Sequence, residues 1–454
     1  MRRWSENVSA GNASSTQPDV NKRGDAVAYV SRQTNGIPGA PGTPQILVRG
    51  LPGGAPHIAS VSTSGHPAAA AGAPTDLANP FDGRSDDPTK ALVSGPSMSV
   101  IGDAVAFTST APNLVGGDTN GVSDVFVHDR RPGRTELVSV GRGGRPANGP
   151  SWGASFGYNE RYVAFISRAS NLVKGDHNGH ADAFLRDLVS HRTYLVSRSR
   201  SCHGINGDVT DVAVTDGHYV AFSTAASNLV RHDTNRVSDV FVFGFAGGRC
   251  GRTTRVSTSS GGRQANGPSD HVAIGNYAKY IAFESTATNL VPHDTNGVQD
   301  VFWHLREGVC SWKPSLRGPK TLRVSVSHLT NHQANGPSYD PEISSAGRFV
   351  YFDSAASNLY FKDTDTRRDI YHRDIKTDYT PLITDGPTGG VEPSVSYHGT
   401  QVVYSGPTQR GVPVTLPRVG GASAASRVPA ADTLLDVLHV SIDHESAPPP
   451  REFR

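Results

Sequence analysis

Asn113-Leu-Val-Gly-Gly-Asp118-Thr-Asn120-Gly-Val-Ser-Asp124-Val-Phe-Val127 is a phrase that this chain repeats. It returns as Asn171-Leu-Val-Lys-Gly-Asp176-His-Asn178-Gly-His-Ala-Asp182-Ala-Phe-Leu185. A third copy runs from Asn228 through Asp233 and Asn235 to Asp239, and a fourth from Asn289 through Asp294 and Asn296 to Asp300. A fifth, looser copy passes from Asn358 through Asp363 and Asp365 to Asp369. The first Asp of each copy lies 58, 57, 61 and 69 residues after the last. That regularity defines a structural unit.

Other segments keep step. Ahead of each copy stands a short apolar strand: Val105-Ala-Phe107, Val163-Ala-Phe165, Val220-Ala-Phe222, Ile281-Ala-Phe283 and Val350-Tyr-Phe352. Behind it comes an alternating Val-Ser strand (Val138-Ser-Val140, Val256-Ser-Thr258, Val324-Ser-Val326), then an Asn-Gly-Pro-Ser turn at 148–151, 266–269 and 335–338. Each unit thus supplies about four strands separated by turn residues. Four-stranded sheets repeated about an axis are propeller blades. Val27-Ala-Tyr29 and Val402-Val-Tyr404 extend the count to seven. The expectation is an all-β chain forming a single β-propeller of about seven four-stranded blades over residues 5–417. An Ala/Gly/Pro-rich loop is inserted at about 65–92, and 418–454 form a linker, a possible closing strand and a disordered tail. Asn7-Val8-Ser9-Ala10 and Leu434–Ser441 compete as the strand that closes the ring.

Asp124-Val-Phe-Val-His-Asp129, Asp182-Ala-Phe-Leu-Arg-Asp187 and Asp369-Ile-Tyr-His-Arg-Asp374 resemble the strand of the TolB-like propeller repeat family. Copies three and four depart at the last position, with Gly244 and Leu305. The family's Ser-Pro-Asp-Gly turn is absent, and Thr215-Asp216-Gly217 and Ser345-Ala346-Gly347 stand in comparable places. The resemblance implies a binding platform and an extracytoplasmic home, although Met1–Glu6 lacks the apolar core of a signal peptide. Cys202 and Cys250 fall in consecutive repeats and could pair in an oxidising compartment; three unrelated thiols, with Cys310, is the other reading.

Composition narrows the partners. The 43 basic and 41 acidic residues are interspersed, with none of the basic stripes that a nucleic acid attracts. No stretch of 18 apolar residues could span a membrane as a helix. A monomer that binds a protein or carbohydrate ligand is expected.

The Asp-x-Asn-Gly-x-x-Asp loop is the main chemical candidate. Oxygens of Asp118, Asn120 and Asp124, of Asp176, Asn178 and Asp182, and of Asp294, Asn296 and Asp300 could surround Ca²⁺. A twelfth-position acid, Asp129 or Asp187, cannot join them if 124–129 is a strand, because its ends then lie roughly 17 Å apart. The competing reading is backbone chemistry, since Asp and Asn cap their own turns and Asn-Gly is a hairpin signal. The third copy, with Arg236 for Gly, and the fifth, with Asp365 for Asn and Arg367-Arg368 behind it, fit a metal loop less well. Gly153-Ala-Ser155-Phe-Gly157 matches a nucleophile motif, but it leads into a strand, where that motif does not work. His177, His180, His232 and His293 sit in the loops without a third ligand in view. Together these readings point to a non-catalytic scaffold, with a hydrolase of polysaccharide or peptide at the channel mouth as the alternative.

Overall fold

The computed structural model describes residues 3–7, 15–69, 93–408 and 434–442, apart from 142, 200, 217, 246–249, 329 and 385–388. Residues 8–10, most of the inserted loop and most of the segment after 417 lie outside the described residues.

Seven antiparallel sheets follow one another along the chain. Blade 3 is typical: Ser151–Phe156, Tyr162–Ser167, Asp182–Asp187 and Arg192–Leu195 pair in sequence order. The first strands of the blades are Ser15–Val20, Val93–Met98, Ser151–Phe156, Val209–Val214, Ser269–Ile274, Ser338–Ile343 and Val391–Val395. Each touches the next, and the seventh touches the first, so they ring a central channel. The protein is a seven-bladed β-propeller.

The apolar repeats become its core. Phe107, Phe165, Phe222, Phe283 and Phe352 on the second strands lie directly opposite Phe126, Phe184, Phe241, Phe302 and Tyr371 on the third. Their ring centroids are 5.6–5.9 Å apart and all ten side chains are fully buried. Middle strands covered on both faces by neighbouring blades need a continuous apolar run rather than an alternating one. Blade 6 has three regular strands; in place of the fourth, two isolated bridges join Tyr371 to Leu382 and Asp374 to Tyr379. Pro381, between those bridges, has no N–H to extend the ladder.

Of the two candidate closing strands the C-terminal one is used, while the N-terminal strand lies earlier, at Arg3–Asn7, and shares only Asn7 with the candidate, whose residues 8–10 lie outside the described residues. Leu434–Ile442 pairs with Gln401–Thr408 as the third strand of blade 7, and Arg3–Asn7 pairs outside it as the fourth. Elsewhere a Cys202–Cys250 disulfide ties the link after blade 3 to the outer hairpin of blade 4, while Cys310 is a buried free thiol.

Candidate functional site

The inner strands face a channel and carry unusual backbone. At their third position stand Gln17, Gly95, Gly153, Asp211, His271 and Asp340, with Glu392 second in the shorter strand of blade 7, and all but Asp211 have positive φ. Every inner strand shifts register there. Proline follows in four blades, as Pro18, Pro96, Pro341 and Pro393, which suits a bulged edge strand. Because the inner edge lacks a fifth strand, its N–H groups go to side chains of the preceding blade. Gly95 N donates to Gln17 (2.9 Å), Gln17 N to Glu392 (3.0 Å), Val272 N to Asp211 (2.7 Å), and Met98 N to Asp19 (2.6 Å). Buried backbone donors are satisfied in this way.

These staples leave an acidic lumen. Glu284 accepts from His271 (2.6 Å) and from Asp340 N (3.1 Å), and Arg368 grips Asp353 and Asp340. Deeper lie Asp19, Glu342 and Lys22. Burial pushes Glu342 up to about 7, against the pull of Lys22 and with help from Asp19 and Asp211. Burial would lower the Lys22 ammonium, but Tyr158, Glu342 and Asp19 outweigh it and hold it above its usual value. His271, with 59% of its side chain open, is held above its usual value: burial opposes its charge, and Glu284, then Asp340 and Asp211, overcome that.

One end of this lumen is stoppered. Tyr158, after the inner strand of blade 3, reaches past blade 4 to donate to Ile274 O in blade 5 (3.0 Å). Asn276 of blade 5 donates to Tyr397 Oη of blade 7 (2.5 Å), skipping blade 6. The two tyrosine rings meet edge-on at 6.3 Å, and Lys22 Nζ lies 5.3 Å from the Tyr158 ring. All four residues follow the inner strands, so they close the face opposite the Asp-Asn-Gly loops. On the outside of the ring, a groove of about 390 Å³ lies between Val115, Arg134, Glu136 and His191. It gathers far fewer ionisable groups than the channel.

The loop residues singled out in the sequence hold the turn together. Asp124 accepts from Asn120 Nδ2 (2.5 Å) on one oxygen and from Ser139 Oγ (2.5 Å) on the other, while Asn120 Oδ1 accepts from Val122 N. Asp182 repeats this with Asn178 (2.7 Å) and Ser197 (2.6 Å), and Asp300 with Asn296 (2.9 Å) and Ser325 (2.5 Å). The Val-Ser strand and the loop recur together because serine and aspartate are partners. Burial pushes Asp124 and Asp182 up to about 6; the serine and asparagine donors oppose it, and Asp118 and Asp176 add to it. Asp118 and Asp176 are themselves buried and raised by desolvation. In blade 5 the Arg323 guanidinium lies between Asp294 (3.1 Å) and Asp300 (3.0 Å).

Ser155 lies within an inner strand, where its Oγ accepts from Val214 N (3.1 Å). His180 Nδ1 sits 3.1 Å from Asp208. Sequence reasoning passed over the leading asparagine of the phrase. Asn171, Asn228, Asn289 and Asn358 each accept from the backbone of Asn148, Asn206, Asn266 or Asn335 in the link before their blade and donate back to a carbonyl there. The fifth copy, read in the sequence as a poorer metal loop, supplies Asp363, Asp365 and Asp369, the group of three potential metal-ligating side chains among the described residues whose ligand atoms all lie within 4.8 Å of one another. Asp365, which counted against the loop in the sequence, is the third carboxylate of that group.

No protein-family model and no curated protein matches the sequence. Solved structures of similar shape include TolB from Acinetobacter baumannii, at 13% identity and a TM-score of 0.42, covering 82% of this chain and 67% of that one. The seven-bladed architecture read from the repeat is what the fold shows. An oligogalacturonate lyase in complex with manganese matches at 9% identity and a TM-score of 0.50, covering 98% of this chain and 97% of that one. Pyrococcus horikoshii acylaminoacyl peptidase matches at 10% and 0.48, covering 88% of this chain and half of that one. At such identities the likeness is one of architecture, and one architecture hosts many activities.

Proposed function

We propose that this propeller is a non-catalytic binding scaffold whose ligand enters the channel from the Asp-Asn-Gly face. The stoppered lumen carries this reading. Its floor and walls present the ammonium of Lys22, for which no side-chain hydrogen bond forms among the described residues, and the carboxyl of Glu342, held by the Ile343 backbone N–H alone, with the imidazole of His271 nearer the mouth. Enclosed charge without a hydrogen-bonding partner is costly, and a polar ligand, peptide or carbohydrate, would supply the missing bonds. Loops on a rigid frame are where recognition concentrates. The Cys202–Cys250 disulfide supports an extracytoplasmic setting, because such bonds persist where the surroundings are oxidising.

The test is a screen of labelled oligosaccharide and random-peptide libraries against the wild type and a Lys22→Met/His271→Leu variant. Hits that bind the wild type and are lost by the folded variant support the channel. Hits retained by the variant place recognition elsewhere, and cleavage of a hit would replace the scaffold with the hydrolase reading.

A further inference from the structure

The Asp loop of blade 6 keeps the hydroxyl that its siblings place on the last aspartate, as Thr384, but differs from all four in its third residue. In blades 2 to 5 the third loop residue is asparagine, and its amide donates to the second oxygen of the last aspartate, at 2.5–3.0 Å. In blade 6 that residue is Asp365, which has no proton to give when ionised. Asp369 is 5% exposed and takes Thr384 on one oxygen; among the described residues no group donates to the other.

Blades 4 and 5 show where positive charge sits in this repeat. Arg255, opposite Phe241, lies 3.5 Å from Asp233 and 3.6 Å from Asp239. Arg323, opposite Phe302, lies 3.1 and 3.0 Å from Asp294 and Asp300. The residue in the same register of blade 6, opposite Tyr371, is Leu382. Blades 2 and 3 carry Leu137 and Leu195 in this register, so of the three blades without the guanidinium, blade 6 alone has three carboxylates to balance, with Arg367 of the loop as the positive charge acting on Asp369. Tyr371 replaces phenylalanine there and donates its hydroxyl to Asp363, adding one more oxygen beside the cluster. Asp363 and Asp369 are buried, while Asp365 is exposed and leaves the site open to water.

We propose that Asp363, Asp365 and Asp369 bind a divalent hard cation, Ca²⁺, in the place that Arg255 and Arg323 fill in blades 4 and 5. An all-oxygen donor set selects Ca²⁺ or Mg²⁺ over softer metals, and a solvent-open side that admits several waters suits the higher coordination number of Ca²⁺. This inference stands independently of the ligand in the channel.

Calorimetric titration with Ca²⁺ alone and thermal unfolding in EDTA or millimolar Ca²⁺ test it, on the wild type and two variants. Asp365→Asn restores the asparagine of the siblings, and Leu382→Arg supplies their guanidinium. The wild type should bind Ca²⁺ at this site and unfold at a higher temperature with it. Either folded variant should bind at least tenfold more weakly here and lose that rise, and Leu382→Arg should be the more stable of the two in EDTA. Absence of binding and of any midpoint shift in the wild type would overturn the proposal, as would a full response in both variants. A Lys22→Met/His271→Leu protein should keep the response, which separates this site from the channel.

Discussion

Ser139 is a small side chain with two duties, donating to Asp124 Oδ1 and accepting from Val125 N. Removing it leaves a buried carboxylate oxygen and a backbone N–H without partners, so Ser139→Ala should cost about 2 kcal/mol, read from the denaturant midpoint. Glu342 carries a different expectation. Its folded pKa lies above the ordinary 4.5, near 7, so the fold favours the protonated form. The resulting stability is full below about pH 4.5 and lost as pH rises through 7. Glu342→Gln should therefore match the wild type at pH 4 and unfold on the order of 2–4 °C higher at pH 8. An unchanged or lower midpoint at pH 8 would mean that attraction to Lys22 outweighs burial. At this scale the sequence was only half legible. Asp124 and Asn120 announce themselves by recurring, but Arg323 is 23 residues from Asp300 and one strand away. The channel residues Gln17, Asp211, His271, Asp340 and Glu392 differ from blade to blade, so self-comparison passes over them.

Turns and strands were more legible, because an element repeats its backbone even where side chains vary. Phe107 and its counterparts gave the second strands, and the Asp-Val-Phe runs the third. The closing blade was ambiguous because Asn7–Ala10 and Leu434–Ser441 both fit an open edge; the fold uses the second, and the more polar Arg3–Asn7 pairs outside it. The turn of blade 6 offers a graded test. Gly347 has φ +72°, and a Cβ there would lie 2.1 Å from the Tyr280 ring, which stacks on Trp303. Gly347→Ala should cost roughly 3 kcal/mol or more, whereas Gly297→Ala, also at positive φ but with open space around its Cβ, should cost about 1 kcal/mol. Equal losses in thermal unfolding would mean that conformational strain, not the ring contact, governs these turns.

The whole molecule is a ring held shut at one seam and stapled at one point by sulfur. The Cys202–Cys250 bond spans 48 residues, and such a loop is worth up to about 4 kcal/mol in the unfolded chain. Reduction should lower the thermal midpoint while leaving the far-ultraviolet spectrum native-like; a spectrum that collapses on reduction would show that the bond is needed for the fold itself. Deleting residues 1–7 should remove an outer strand and lower the midpoint with the ring intact. Deleting 434–442 should leave the second strand of blade 7 unpaired on its outer side and abolish cooperative unfolding.

That seam also sets a timetable for synthesis. The strand made first, Arg3–Asn7, has its partner in Leu434–Ile442, more than 400 residues downstream, so it must wait while blades 1 to 6 take shape from local pairings. Until the last strand leaves the ribosome, two sheet edges stand open at once, inviting the wrong neighbour. The dependence of folding yield on translation rate and on chaperone supply should then be concentrated in the stretch of message that encodes residues 434–442, with blades 1 to 6 comparatively indifferent to either.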